Sequence, residues 1–163
     1  MFNEFNGLPL HALAIHASVV IVPLAALLAL LFALPRTRAW SRLPLLVVSV
    51  GGLASVFVSV QSGKALDRAL NLQGPVRELI NTHRHRANQL LVLMVVFTVL
   101  VVVAYVVTRS AALDATVTHL LAALLVLSAI ALSVQVYRVG DVGARAVWNP
   151  TGQIDYSGDG TGG

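Results

Sequence analysis

Five histidines are the residues of this sequence best suited to chemistry. The chain contains no cysteine, which excludes disulfides, thiolate metal sites and covalent c-type haem attachment. Four of the histidines, His11, His16, His83 and His85, lie in or beside two apolar segments. Imidazole is a ligand for haem iron, copper and zinc. The sequence therefore points to metal or redox chemistry. It contains no serine-histidine-aspartate set and no phosphate loop, so we name no catalytic residue.

The segments that hold these histidines are long and almost free of charge. Of the 163 residues, 57% are hydrophobic and 11% are charged, whereas soluble domains contain about 25% charged residues. A helix of about 20 apolar residues crosses a bilayer. We therefore predict an all-α fold, a four-helix transmembrane bundle that comprises residues 1–148. Its spans are predicted at about 9–34, 43–63, 85–108 and 115–138, and a flexible glycine-rich tail at 149–163.

Four spans place both chain termini on the same side of the membrane, which we call side A. The longer connection between the second and third spans also lies on side A, and two short turns lie on side B. Arg36, Arg38 and Arg42 lie beside the first side B turn. Because basic residues in short loops favour the cytoplasm, we predict that side B is cytoplasmic and that the termini are extracytoplasmic. The bilayer is the predicted partner, and the net charge of +4 does not imply nucleic-acid binding.

Small residues form a stripe on the second span. Gly51, Ser55, Ser59 and Gly63 recur every four residues, which places them on one face of a helix. Such a stripe lets a neighbouring helix pack closely, or it makes room for a planar cofactor. No internal repeat is evident in the sequence.

Helical spacing limits how the histidines can combine. His11 and His16 are separated by about 140° around the helix, and His83 and His85 by about 200°, so neither pair can bind one ion together. One imidazole from each helix is a workable arrangement. His16 ranks first because an ionisable side chain within the hydrocarbon suggests function. His83 ranks above His85 because it shares an apolar stripe with residues 87, 90 and 94. His11 and His85 remain additional candidates.

A haem b with two axial imidazoles fits this arrangement, because its two ligands reach opposite faces of a flat macrocycle. The nearby cations Arg84, Arg86 and Arg138 are candidates to bind the haem propionates through charge-assisted hydrogen bonds. Copper or zinc bound by the side A histidines is the alternative cofactor. His16 and His83 are the first candidates as metal ligands.

Three segments resemble the DUF2231 family of small bacterial four-span membrane proteins, of the high-GC Gram-positive type. They are Leu8-Pro9-Leu10-His11-Ala12-Leu13-Ala14-Ile15-His16, Thr82-His83 with Ala87-Asn88-Gln89-Leu90, and the stretch from Val136 to Trp148. The resemblance implies a multi-pass protein of the bacterial cell membrane, and it singles out His11, His16 and His83. It does not imply an activity.

Two functions follow as expectations. The first is a histidine-based redox or metal site near the outer face, most concretely a bis-histidine haem b subunit that transfers electrons in a respiratory chain. The second is a cofactor-free accessory or assembly subunit that packs against a larger respiratory membrane complex. The expected protein partners are other respiratory-chain membrane subunits or further copies of the chain. Whether the protein is an enzyme is left open.

Overall fold

Four long helices make up most of the described chain. The computed structural model describes residues 4–109 and 114–154, and within them each helix is long and apolar enough to cross a membrane. The predicted all-α, four-helix bundle is confirmed. Residues 155–163 of the predicted flexible tail lie outside the described residues. The helices are α1 (Leu10–Ala33), α2 (Arg38–Leu70), α3 (Pro75–Val107) and α4 (Ala115–Trp148).

A short hairpin precedes α1 and was not predicted from the sequence. Strands β1 (Glu4–Phe5) and β2 (Leu8–Pro9) pair in antiparallel fashion. Asn6 and Gly7 connect them with φ values of 52° and 78°. Asparagine followed by glycine is the preferred pair for such a two-residue turn, because both positions need positive φ. The hairpin leads directly into the first helix.

The helix ends follow from local residue choices. Leu34 is extended, with φ −79° and ψ 127°, because the residue before a proline avoids the helical region, and α1 therefore ends there. Asn71 takes the left-handed conformation that closes α2. Pro75, at the first position of α3, follows Gly74. Proline is well tolerated there because its missing N–H needs no intrahelical partner.

Three helices extend beyond the predicted spans on side A. The additional helical residues are 64–70 in α2, 75–84 in α3 and 139–148 in α4. The extension of α3 contains His83, which lies just before the predicted span at 85–108. The extensions lengthen the bundle beyond the apolar spans on side A, and they contribute residues to the site described below.

The packing order of the helices determines which of them face each other. Helix α1 packs against α2 and α4, and α3 packs against the same two helices. Helices α1 and α3 therefore lie diagonally across the bundle. In the core, Met94 of α3 lies against Gly52 of α2, where a Cβ would come within 2.8 Å of the methionine Cε. The largest fully buried apolar side chains are Val22, Phe32, Leu45, Val56, Met94, Phe97, Val101, Leu125 and Leu132.

Candidate functional site

Two histidines from diagonal helices meet near the side A end of the bundle. The ring centres of His11 on α1 and His83 on α3 are 6.3 Å apart, and the ring planes are inclined at 86°. Both side chains are partly buried. The two imidazoles therefore lie close together in a T-shaped arrangement inside the bundle, and we call them the histidine pair.

Each ring of the histidine pair is held by a backbone carbonyl of the next helix along the chain. The His11 Nδ1 lies 2.9 Å from the Ser59 carbonyl oxygen of α2, and the His83 Nδ1 lies 3.1 Å from the Val139 carbonyl oxygen of α4. A carbonyl can only accept a hydrogen bond, so Nδ1 is the protonated nitrogen in both rings. Nε2 of each neutral imidazole then retains a lone pair, as a metal ligand requires.

A glycine lies against each ring. A Cβ added at Gly63 would come within 3.0 Å of the His11 Cε1, and a Cβ added at Gly143 would come within 3.0 Å of the His83 Cε1. Both contacts are closer than an ordinary methyl contact. The absence of a side chain at these two positions lets each imidazole lie directly on the neighbouring helix.

These contacts form a structural repeat. In α2 the accepting carbonyl is at Ser59 and the glycine follows four residues later at Gly63; in α4 the same spacing separates Val139 from Gly143. We call the α1–α2 hairpin the first half and the α3–α4 hairpin the second half. Both halves therefore hold their histidine by the same backbone contacts.

The repeat extends one helical turn further towards side B. Ser55 of α2 lies four residues before Ser59, and its hydroxyl is 3.2 Å from the Ser18 hydroxyl of α1. Gln135 of α4 lies four residues before Val139, and its amide donates to the Arg86 carbonyl of α3 at 2.9 Å. Both halves therefore have a polar contact between helices at the same level, made with different side chains.

Two clefts meet at the histidine pair. The first cleft, of ≈ 340 Å³, lies beside α1 and α4 and has Val19, Val136 and Ala144 among its lining residues. The second cleft, of ≈ 380 Å³, lies between α2 and α3 and includes Leu66 and Ile80. His11 and His83 line both clefts. Volumes of this size are within the range of small-molecule sites, which are mostly apolar with a few polar groups.

The other predicted histidines lie outside the pair. His16 is exposed on the bundle surface, and its Nδ1 bonds to the Ala12 carbonyl of its own helix. His85 is also exposed, and its Nε2 accepts from the Gln89 amide at 3.1 Å. The structure therefore brings together His11 and His83, but it does not bring His16 or His85 to them.

Only one of the three predicted propionate-binding arginines lines a cleft. Arg84 lines the second cleft together with Lys64. Arg86 instead donates to the Arg138 carbonyl at 3.2 Å, which joins α3 to α4, and neither of these two arginines lines a cleft. Among the described residues, no group of three or more His, Asp or Glu side chains is arranged to hold an ion.

The sequence contained a signal for His11 that we did not use. His11 continues the buried face of α1, which includes Ala14, Val22, Ala25 and Ala29, at the alternating three- and four-residue spacing of a packed helix. His16 falls off this spacing. We ranked His16 first by its depth in the membrane, although the helix face is what decides whether a side chain points into the bundle. The Val139 carbonyl and Gly143 had no signal of this kind.

Four membrane-spanning helices, with the histidine pair between two diagonal helices, define an integral membrane protein with a candidate ligand site. The chain belongs to the DUF2231 family, described as a predicted membrane protein, whose profile matches residues 7–155. No curated protein and no solved structure matches the chain. The protein is therefore a multi-pass membrane protein that contacts the lipid bilayer.

Proposed function

We propose that the histidine pair holds a haem b and that the protein transfers electrons. The observation that supports this proposal is the distance of 6.3 Å between the ring centres of His11 and His83. A metal bound between two imidazoles at about 2 Å from each nitrogen places the ring centres about 6 Å apart. His11 thus replaces His16 as the partner of His83 in the proposed site.

The number of ligands in the pair suits haem. His11 and His83 would hold the group, because a haem iron takes four nitrogens from its own macrocycle and two further ligands from the protein. The bonds from Nδ1 to the Ser59 and Val139 carbonyls orient the rings and leave Nε2 as the ligand atom. The two clefts that meet at the pair have mostly apolar linings, as a flat macrocycle requires.

The chemistry of such a site is electron transfer. If His11 and His83 held a haem, they would leave no position at the iron for a substrate, and the group would supply one-electron transfer. We propose a respiratory chain of a bacterial membrane as the setting. Orientation with side B in the cytoplasm is supported by the three arginines beside the first side B turn. Protease cleavage of the tail after Trp148 in intact spheroplasts tests the orientation.

The visible spectrum of the detergent-purified full-length chain, supplied with haemin, tests the cofactor. We expect a b-type band in the reduced-minus-oxidised spectrum that is lost in His11→Ala and in His83→Ala. His16→Ala and His85→Ala are the matched controls, because both side chains lie outside the pair, and they should keep the band.

A further variant separates loss of a ligand from loss of the fold. His83→Met retains a ligand of different chemistry, and it should keep bound haem with a shifted band and a raised potential. A wild-type protein that runs as a folded species on gel filtration but stays colourless with haemin would contradict the proposal. A band that survives in both His11→Ala and His83→Ala would contradict it too. If the protein is colourless, metal analysis tests whether it binds copper or zinc. Co-purification of the colourless protein with an oxidase tests whether it is an accessory subunit.

A further inference from the structure

The two clefts beside the histidine pair differ in charge. The residues that line the first cleft include no Asp, Glu, Lys or Arg in the part of the chain that the structure describes. The second cleft is lined by Lys64, Asp67 and Arg84 in addition to its apolar residues. A guest, by which we mean a ligand that occupies both clefts, therefore contacts uncharged residues at one edge and charged side chains at the other.

The charged wall has an excess of positive charge. Asp67 is mostly buried, with 11% of its side chain exposed, and it forms ion pairs with Arg77 and with Arg84, the latter at 3.5 Å. Lys64 lies one helical turn before this cluster on α2. Arg77 does not line the cleft, but it neutralises Asp67, so that Lys64 and Arg84 leave two positive charges at the cleft lining. Because Asp67 pairs with both arginines, it joins α2 to α3 and holds Arg84 at the second cleft.

We infer that the second cleft receives the carboxylate edge of the guest, with Lys64 and Arg84 as its cationic partners. This inference rests on the proposed haem function and adds the direction in which the macrocycle lies. The two propionates of haem b match the two uncompensated positive charges, and charge-assisted hydrogen bonds of this kind are stronger than neutral ones. The apolar edge of the macrocycle then lies in the first cleft.

The orientation also assigns Asp67 a role. A second ion pair, to Arg77, keeps the Asp67 carboxylate occupied, so Arg84 can turn towards a propionate without leaving a buried charge unpaired. Asp67 acts through Arg84 and is a positioning residue. The carboxylates of the guest then face side A, because Lys64 and Arg84 belong to the side A extensions of α2 and α3.

The test compares haemin with haemin dimethyl ester, which has the same iron and macrocycle but no free carboxylate. Both are titrated into the detergent-purified full-length chain and followed by absorbance. Lys64→Gln and Arg84→Gln should each bind haemin about tenfold more weakly than wild type, but should bind the ester as wild type does. Arg68→Gln on α2 and Arg86→Gln on α3 are the matched controls, since neither residue lines a cleft, and they should bind both porphyrins as wild type does.

The outcomes separate the two proposals. If wild type binds neither porphyrin, the haem function and this inference both fail. If wild type binds haemin through His11 and His83, but the variants lose the same affinity for both porphyrins or lose none, the orientation is overturned and the haem function stands. Each variant is first checked for a folded species on gel filtration, so that a change in affinity reports on the cleft and not on the fold.

Discussion

The first and second halves of the bundle hold their histidines with the same backbone contacts and connect their helices with different side chains. In each half, a carbonyl and a glycine four residues apart position the imidazole. The polar contact one turn away uses hydroxyls in the first half and the Gln135 amide in the second. The two halves share the carbonyl and the glycine, which fix the position of the ring. The side chains of the polar contact need only find hydrogen-bond partners in an apolar environment, so they can differ between the halves.

The two rings also differ in the hydroxyl groups that lie near them. Near His11, the Ser62 hydroxyl approaches Nδ1 at 3.4 Å in addition to the Ser59 carbonyl. Near His83, the accepting carbonyl belongs to Val139, and Val136 lines the same cleft. The first half is therefore richer in hydroxyls around its ring than the second. The comparison can be tested by changing one half at a time.

The largest effect is expected at the two glycines beneath the rings. Alanine at an interior helix position is normally favoured over glycine by about 0.5–1 kcal/mol. At Gly63 and Gly143 the new Cβ would lie 3.0 Å from a ring that a carbonyl holds in place, and overpacking of this kind costs about 1–3 kcal/mol. Gly63→Ala and Gly143→Ala should therefore both lower the free energy of unfolding, measured by denaturant titration in detergent.

Two glycines of the same helices serve as controls for that prediction. A Cβ at Gly51 of α2 or at Gly140 of α4 would meet nothing within 4 Å. Gly51→Ala and Gly140→Ala should leave stability unchanged or raise it. If Gly63→Ala and Gly143→Ala behave like these controls, the rings are not fixed by the glycines. If only one of them is destabilising, the two halves are not equivalent.

The next effect concerns the polar contact of the second half. Gln135 is buried and donates both to the Arg86 carbonyl and to the Gln89 side chain, at 2.9 Å and 3.1 Å. Hydrogen bonds between membrane helices contribute about 0.6 kcal/mol on average, so Gln135→Leu should cost about 1 kcal/mol. Gln89→Ala removes one of the two bonds and should cost about half as much. Equal losses in the two variants would show that the Arg86 carbonyl contributes nothing.

A smaller effect is expected for the polar contact of the first half. The Ser18 hydroxyl lies within hydrogen-bond distance of the hydroxyls of Ser55 and Ser59. Ser18→Ala should cost about 0.6 kcal/mol, measured as for Gln135. Ser133→Ala is the control, because the Ser133 hydroxyl bonds to the Ala129 carbonyl of its own helix. A loss in Ser133→Ala as large as that in Ser18→Ala would rule out a specific contribution from contacts between helices.

The smallest effect is at the start of α4, on side B. The Asp114 carboxylate accepts a hydrogen bond from the Thr116 backbone N–H, and this bond lowers the pKa of Asp114 below its usual value. A lowered carboxyl pKa stabilises the folded state above the unfolded pKa, and the contribution is lost as pH falls through the folded pKa. Hydrogen exchange at the Thr116 amide, corrected for its intrinsic pH dependence, should lose protection as pH falls through that range. Asp114→Ala should lack protection at neutral pH as well, and unchanged protection there would contradict the role of the cap.

Much of the fold was predictable because lipid imposes strong rules on sequence. Apolar segments of sufficient length predict spanning helices, and Pro35 marks the end of the first helix by local chemistry. The side A extensions were not predictable from hydropathy, because their residues are mixed in polarity and continue helices that tertiary packing stabilises. His83 was found from its apolar stripe, and His11 was placed behind His16 because depth in the membrane was weighed above the helix face.

The sequence by itself determined that the protein lacks cysteine, that it has four apolar segments, and that histidines lie at the side A ends of the first and third segments. Those properties are local, since they depend on composition and on spacing within one helix. Only the tertiary structure decided that α1 and α3 are diagonal, that His11 meets His83, and that a carbonyl and a glycine on a neighbouring helix hold each ring. Contacts between helices depend on the packing of side chains from distant parts of the chain, and spacing within a single helix does not specify them.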